Sequence, residues 1–179
     1  MAYLAASLDG FIARENGDLD WLPQPTETAD DFGFSAFLSS VDTLVMGRGT
    51  FEKVLTFGQW PFDGKRVVVL STRLAKRDLP ATVAPRVELH PGPIVALVKW
   101  LAQAGARRVY VDGGKVIQGF LAAGLLAEIT LTRVPVILGA GIPLFGPLAR
   151  DIRLVHVKTV SLDLGLVQST YRISKPVTI

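Results

Sequence analysis

The feature that most restricts this chain is an apolar run that ends in a glycine turn. Val41-Asp42-Thr43-Leu44-Val45-Met46 leads into Gly47-Arg48-Gly49-Thr50 and then into a helical pattern. Arg107 to Val111 repeats the device some sixty residues on, ending in Asp112-Gly113-Gly114-Lys115. A strand that passes through bare glycine into a helix is the repeating unit of a parallel α/β sheet. At each junction the backbone can approach a ligand closely, and the helix start offers unpaired N–H groups and the positive end of its dipole. Two such junctions in one chain suit a ligand with a pyrophosphate. At the first, Arg48 adds a guanidinium that can grip a phosphate by two hydrogen bonds. The alternative for each junction is an ordinary tight βα turn, with Thr50 as a helix cap and Arg48 in solvent.

The rest of the chain fits that frame. Residues 2–8 and 11–13 are short apolar runs around the turn signal Asp9-Gly10. A helix is predicted over 28–40, with Thr28 as cap and Phe34, Phe37, Leu38 and Val41 on one face. Buried strands are expected at 42–46 and 66–70, a weaker one at 87–89, and a short helix at 50–56. Pro93 opens a helix with Ile94, Leu97, Val98 and Leu101 on its inner face, and Gly105 stops it. A strand at 107–111, a helix at 115–123 closed by Gly124, and a strand at 128–134 follow. The tail, 152–160 and 166–173, reads as an antiparallel hairpin across Leu162-Asp163-Leu164-Gly165. Nothing between residues 1 and 179 marks a linker, so a single domain is expected: a mostly parallel sheet, helices on both faces, antiparallel edge strands.

Composition narrows the chemistry. The chain has 179 residues, 49% hydrophobic, and no cysteine, which removes disulfides and thiolate chemistry. His90 and His156 stand alone as imidazoles, and no metal site is expected from them. The net charge of +3 is scattered, unlike the dense stripe of a nucleic-acid binder. The uncharged stretch 134–149 is broken by three prolines and is too short to span a bilayer. A cytoplasmic protein with a small anionic ligand is expected, with neither nucleic acid nor membrane as partner.

Further candidates line the same edge. Ser71-Thr72-Arg73 follow the strand 66–70, where loops of open α/β sheets meet ligands, and a capped surface loop is the plainer reading. Asp30 and Asp31 border the apolar face of the first helix, about 30° and 70° from its centre at 100° per residue. A carboxylate there can acquire a raised pKa and bind or protonate a ring nitrogen; equally, acidic residues favour a first helical turn for dipole reasons. The loop 9–22, with Asp9 and Trp21, and Phe34 at the helix start are the candidate substrate side. The Gly-rich loop 138–146 walls a flat ring or is a turn-rich connection. Neither the G-x-G-x-x-G fingerprint nor a P-loop is present.

Five segments, in order, resemble the dihydrofolate reductase superfamily. They are Ser7-Leu8-Asp9-Gly10-Phe11-Ile12-Ala13, Met46-Gly47-Arg48-Gly49-Thr50-Phe51-Glu52, Val69-Leu70-Ser71-Thr72, Val111-Asp112-Gly113-Gly114 and Leu138-Gly139-Ala140-Gly141-Ile142-Pro143-Leu144-Phe145. The Ser-Leu-Asp-Gly start is similar to the branch that holds the reductase domain of bacterial riboflavin biosynthesis. The resemblance implies a three-layer dihydrofolate reductase-like fold, a homodimer and an NADPH site. It implies a reductase akin to those of dihydrofolate or of 5-amino-6-(5-phosphoribosylamino)uracil, acting on a flat heterocycle. By it, Gly47, Arg48, Gly49 and Thr50 meet the phosphates, and Ser71, Thr72 and Arg73 the adenosine ribose and its extra phosphate. Gly113, Gly114, Lys115 and Val116 line the pyrophosphate and nicotinamide. In dihydrofolate reductases an acidic residue sixteen positions before the Gly-Arg glycine binds the pteridine; here that is Asp31, with Asp30 beside it. Departures are Asp20-Trp21-Leu22-Pro23 where Trp-Asn-Leu-Pro is usual, and Asp112-Gly113-Gly114 in place of a triple glycine. Residues 1–179 carry no zinc deaminase module, so the bifunctional riboflavin enzyme is not expected. A nucleotide-binding module without turnover is the alternative function, and a flavin the alternative cofactor.

Overall fold

A computed structural model describes residues 1–23 and 31–174. Ten strands and four helices order as β1 (Ala2–Ser7), β2 (Phe11–Ala13), α1 (Phe34–Ser40), β3 (Thr43–Gly47), α2 (Arg48–Leu55), β4 (Arg66–Leu70), β5 (Val87–His90), α3 (Ile94–Gln103), β6 (Val109–Asp112), α4 (Gly114–Ala122), β7 (Glu128–Val134), β8 (Ile142–Pro143), β9 (Leu154–Ser161) and β10 (Val167–Ile173). One parallel sheet runs β5-β4-β3-β6. A second runs β1-β7-β10-β9, parallel between β1 and β7 and antiparallel beyond. Met1 joins them: its nitrogen donates to Val109 O and its carbonyl accepts from Val111 N, each at 2.8 Å. The two sheets therefore meet edge to edge. A ribbon of β2 and β8 lies apart from them.

Period-two alternation sorts the strand residues between two faces. Val45, Val68 and Val111 turn toward α3 and α4, where Leu97, Leu101, Ile117 and Phe120 complete one apolar cluster. Leu44, Met46, Val67, Val69 and Tyr110 turn toward α1 and α2, meeting Phe37, Leu38, Phe51 and Val54. Helices thus cover both faces, as expected from the dihydrofolate reductase resemblance. Burying each such aliphatic side chain contributes about 1.5–3 kcal/mol.

The differences from the sequence reading are local. The first helix begins at Phe34; Thr28, the expected cap, and Asp30 lie outside the described residues. Its face of Phe34, Phe37, Leu38 and Val41 packs as predicted. The helix after β3 starts at Arg48, not Thr50, because the Gly47 backbone itself makes the cap; Thr50 lies inside the first turn. Pro93 is the cap of α3 rather than its first residue. Gly105 and Gly124 stop their helices in the left-handed region, at φ +82° and +66°.

Candidate functional site

The strands β3, β4 and β6 are parallel and in register, with Gly47 opposite Leu70 and Met46 opposite Asp112. Their carboxyl ends therefore share one edge, and the turns at Gly47, Ser71 and Gly113 emerge there. From β3 the chain crosses by α2 to β4; from the adjacent β6 it crosses by α4 to β7, on the other side and the other face. Neighbouring parallel strands whose connections diverge leave a crevice between them, the usual ligand site of open α/β sheets.

The two glycine turns interlock across that crevice. A Cβ on Gly113 would collide with Thr50 Oγ1 of α2, and one on Gly47 would approach Val116 Cγ2 of α4 to 3.1 Å. Gly113 also sits at φ +89°, which side-chain-bearing residues rarely adopt. Each turn is thus pressed against the other's helix. Gly114 is roofed by the small ribbon: a Cβ there would meet Ile12 Cδ1 at 2.9 Å and the Pro143 carbonyl at 3.1 Å. Gln118 donates to the carbonyls of Pro143 and Leu144, both at 3.1 Å, and so ties the 138–146 loop to α4. Neither α2 nor α4 has a side-chain cap at its N-terminus. Their first N–H groups face the crevice edge without a side-chain acceptor.

The remaining candidates take up varied positions around this edge. Arg48 is half-exposed and donates to Glu52 Oε1 at 3.0 Å, one turn along α2. Gly49 has open space around it, and Lys115 is exposed, while Val116 is buried beneath Gly47. Ser71 Oγ accepts from the backbone of Arg73 and Leu74, each at 3.1 Å, so this hydroxyl shapes its own loop; Thr72 and Arg73 are exposed.

On the substrate side, two carboxylates are occupied by the chain's own backbone. Asp9 accepts from the Ser7 hydroxyl at 2.6 Å and from the Leu138 and Gly139 amides at 3.2 and 2.8 Å. The Ser7 hydroxyl bond, with the two amides in support, lowers its pKa. Asp31 accepts from the Gly33 and Ser35 amides at 2.9 and 2.8 Å. Bonds from Ser35, side chain first and then backbone, hold its pKa below the ordinary carboxylate value, opposite to the raised pKa the apolar border suggested. Phe34 packs in an aromatic group with Tyr3, Phe37 and Tyr110, at centroid distances of 6.0–6.5 Å. Just before it, Phe32 and Gly33 are both left-handed, and the Phe32 carbonyl accepts from the Tyr3 hydroxyl and from Gln168 Nε2.

Trp21 lies in the loop that Arg14–Asp20 (2.6 Å) and Lys53–Asp18 (3.1 Å) pin near α2. Its indole N–H is buried and has no hydrogen-bond partner among the described residues. Such a donor costs free energy until an acceptor reaches it. An open cleft of about 520 Å³ runs between this loop and Lys53, Thr56 and Phe57. It borders the C-terminal turn of α2, whereas the interlocked glycines stand at the helix's other end.

The residue not foreseen is Asp112. It closes β6 one position before the α4 cap, half-buried, with Oδ1 accepting from the Gly113 amide at 2.8 Å. Burial pushes its pKa up to about 6, against the opposing pull of that amide and the Tyr110 hydroxyl. The signal available in the sequence was a lone charge ending the apolar run Val109-Tyr110-Val111. Among the described residues, no group of three or more His, Cys, Asp or Glu is arranged to hold a metal ion, and no helix is long and apolar enough to cross a membrane.

Residues 1–166 match the family model of the RibD C-terminal domain. The uncharacterized protein YwjB of Bacillus subtilis (strain 168) is 33% identical over 155 residues, 85% of each chain. A crystal structure of a candidate riboflavin biosynthesis protein from Shewanella sp. PV-4 superposes with a TM-score of 0.88 at 38% identity, covering 97% of this chain and 98% of the other. A diaminohydroxyphosphoribosylaminopyrimidine deaminase/5-amino-6-(5-phosphoribosylamino)uracil reductase from Thermotoga maritima superposes at a TM-score of 0.71 and 18% identity. It covers 97% of this chain but 56% of that one, and so speaks for the fold alone.

Proposed function

The chain belongs to the RibD C-terminal domain family, and on that premise we propose that it is an NADPH-dependent reductase. Its substrate is a flat heterocycle of pteridine, folate or pyrimidine type, reduced at a C=N or C=O bond. The observation that carries this reading is the interlocked pair of glycine turns, each clear of a Cβ, between two helix starts without side-chain caps. That cradle fits a pyrophosphate. Gly47, Gly49, Thr50, Gly113, Gly114 and Lys115 hold it, and Arg48 takes a phosphate by leaving Glu52. Ser71, Thr72 and Arg73 lie by the ribose, and Val116 backs the nicotinamide. When bound, the nicotinamide supplies the hydride; the protein binds, orients and keeps water out.

On the substrate side, Trp21 offers its unpaired indole N–H, and Phe34 an apolar wall. Asp31 acts as an ionised hydrogen-bond acceptor, since its pKa is lowered. Asp9 holds the turn at the pocket rim, and Asp30 is the neighbouring carboxylate. The exposed apolar residues of β9, Leu154, Val155, Val157 and Val160, make the surface of a cytoplasmic homodimer, which sedimentation tests directly.

The decisive assay mixes the protein with NADPH and a panel of pterins, folates and pyrimidines and follows absorbance at the nicotinamide band. Oxidation with one of them establishes the reductase. A second reading, a nucleotide-binding module without turnover, is favoured by one observation: the Asp31 carboxylate is already engaged by its own helix. Binding without oxidation across the panel selects that module. Absence of NADPH binding at millimolar excess overturns both.

A further inference from the structure

The cradle that suits an anion carries an anion of its own. The Asp112 carboxyl stands at the end of β6, one residue before the cap of α4, and grips the amide of that cap residue. Among the described residues no cation pairs with it. Arg48 of α2 is turned to Glu52, Lys115 of α4 is exposed, and Asp31 beside α1 is engaged by Gly33 and Ser35. The titratable groups about it among the described residues include two phenols: Tyr110 on its own strand, and Tyr3 of β1, whose carbonyl accepts from the Tyr110 hydroxyl at 3.0 Å. Thr50 of α2 faces the same turn and does not titrate.

A pyrophosphate seated on the Gly113 and Gly114 turn brings further negative charge against this half-buried carboxylate. Like charges in a desolvated site do not both persist, and the weaker acid takes a proton. We infer that filling the crevice with an anionic dinucleotide drives a proton onto Asp112, which then stands as the protonated carboxyl beside the bound ligand at neutral pH. Asp31 cannot fill this part, because its carboxylate is stabilised in the charged form. The inference rests on the crevice being a dinucleotide site. Burial already lifts Asp112 to about 6, so at pH 7 it is mostly ionised before the ligand arrives and has a proton to gain.

The test is calorimetry with NADH, which lacks the titratable 2′-phosphate of NADPH. Binding heats are compared in pairs of buffers whose ionisation enthalpies differ, imidazole and PIPES at pH 7 and acetate and piperazine at pH 5. The wild type is expected to take up about half a proton or more per NADH at pH 7 and close to none at pH 5. Asp112→Asn, which mimics the protonated carboxyl in shape, is expected to bind at least as tightly at pH 7 and to lose the uptake. Carboxyl carbon shifts from NMR of the wild-type protein, with and without NADH, report the same titration without a variant. Binding with no buffer dependence overturns the inference and leaves the dinucleotide site standing, as does uptake that survives in Asp112→Asn. No binding heat in any buffer sinks the dinucleotide site itself.

Discussion

Two sets of backbone amides in this protein are treated in opposite ways. At the 7–10 turn and at the start of α1, the chain meets its own amides with carboxylates: Asp9 takes Leu138 and Gly139, and Asp31 takes Gly33 and Ser35. At the starts of α2 and α4 no side chain caps the helix, and the one carboxylate met there, Asp112, takes only the Gly113 amide ahead of α4. Helix starts normally recruit Ser, Thr, Asp or Asn, and omitting one costs about 1 kcal/mol. The first set is closed and structural. The second is open, and in both of its members a glycine stands where a capping side chain would sit. On the proposed reading the open pair is the place of the anion, and the closed pair supports the walls.

The sharpest break of this contrast is Gly113→Ala. The new methyl meets Thr50 Oγ1 and must accept φ +89°. Strain and overpacking together are expected to cost about 2–4 kcal/mol in denaturant unfolding. NADPH affinity is expected to fall at least 100-fold. The double variant with Thr50→Ala should regain part of the stability, since only the backbone strain remains. Full retention of both stability and affinity in Gly113→Ala would show that the turns are not interlocked as described.

Arg48→Ala probes the same open set more gently. Its pair with Glu52 is exposed, so stability should change by less than about 0.5 kcal/mol. NADPH affinity should drop roughly ten-fold more than NADH affinity if the guanidinium serves the extra phosphate. Parallel losses for both cofactors would move Arg48 to the pyrophosphate instead.

The open set was the legible part. Glycine after an apolar run announces a βα junction, and the strands 66–70 and 128–134 were found at their full extent because alternation and turn residues agree. The interlock was not legible. It depends on β3 and β6 being neighbours although 66 residues part their first members, Thr43 and Val109, and single-sequence periodicity says nothing of strand order. In the closed set, one of the two readings of Asp31 failed for a related reason. A carboxylate near an apolar stripe looks like a desolvated acid when the helix is drawn through it. Asp31 precedes α1, and in that place it meets amides, which lower the pKa. Asp112 was passed over because a charged residue before two glycines reads as turn chemistry, and the part of its burial that raises its pKa arises only once the strand and turn are packed.

The smallest expected effect belongs to the closed set, through Asp31→Asn. The asparagine keeps an oxygen for one amide but loses the charge that favours it at a helix start. Cofactor affinity should stay within about two-fold, because Asp31 does not border the interlocked glycines. The loss should appear as a modest fall in Tm with a defined pH dependence. In the wild type the folded-state pKa lies below the unfolded value of 3.8, so the stabilisation is fully present above that value. It disappears as pH falls through the folded pKa, when the carboxyl protonates even in the native state. The Tm gap between wild type and Asp31→Asn should therefore be widest near neutral pH and close in acid as the pH falls below 3.8 and through the lowered folded-state pKa. A gap that widened in acid would mean that Asp31 is held neutral, and the division between closed and open amides would fail at its first member.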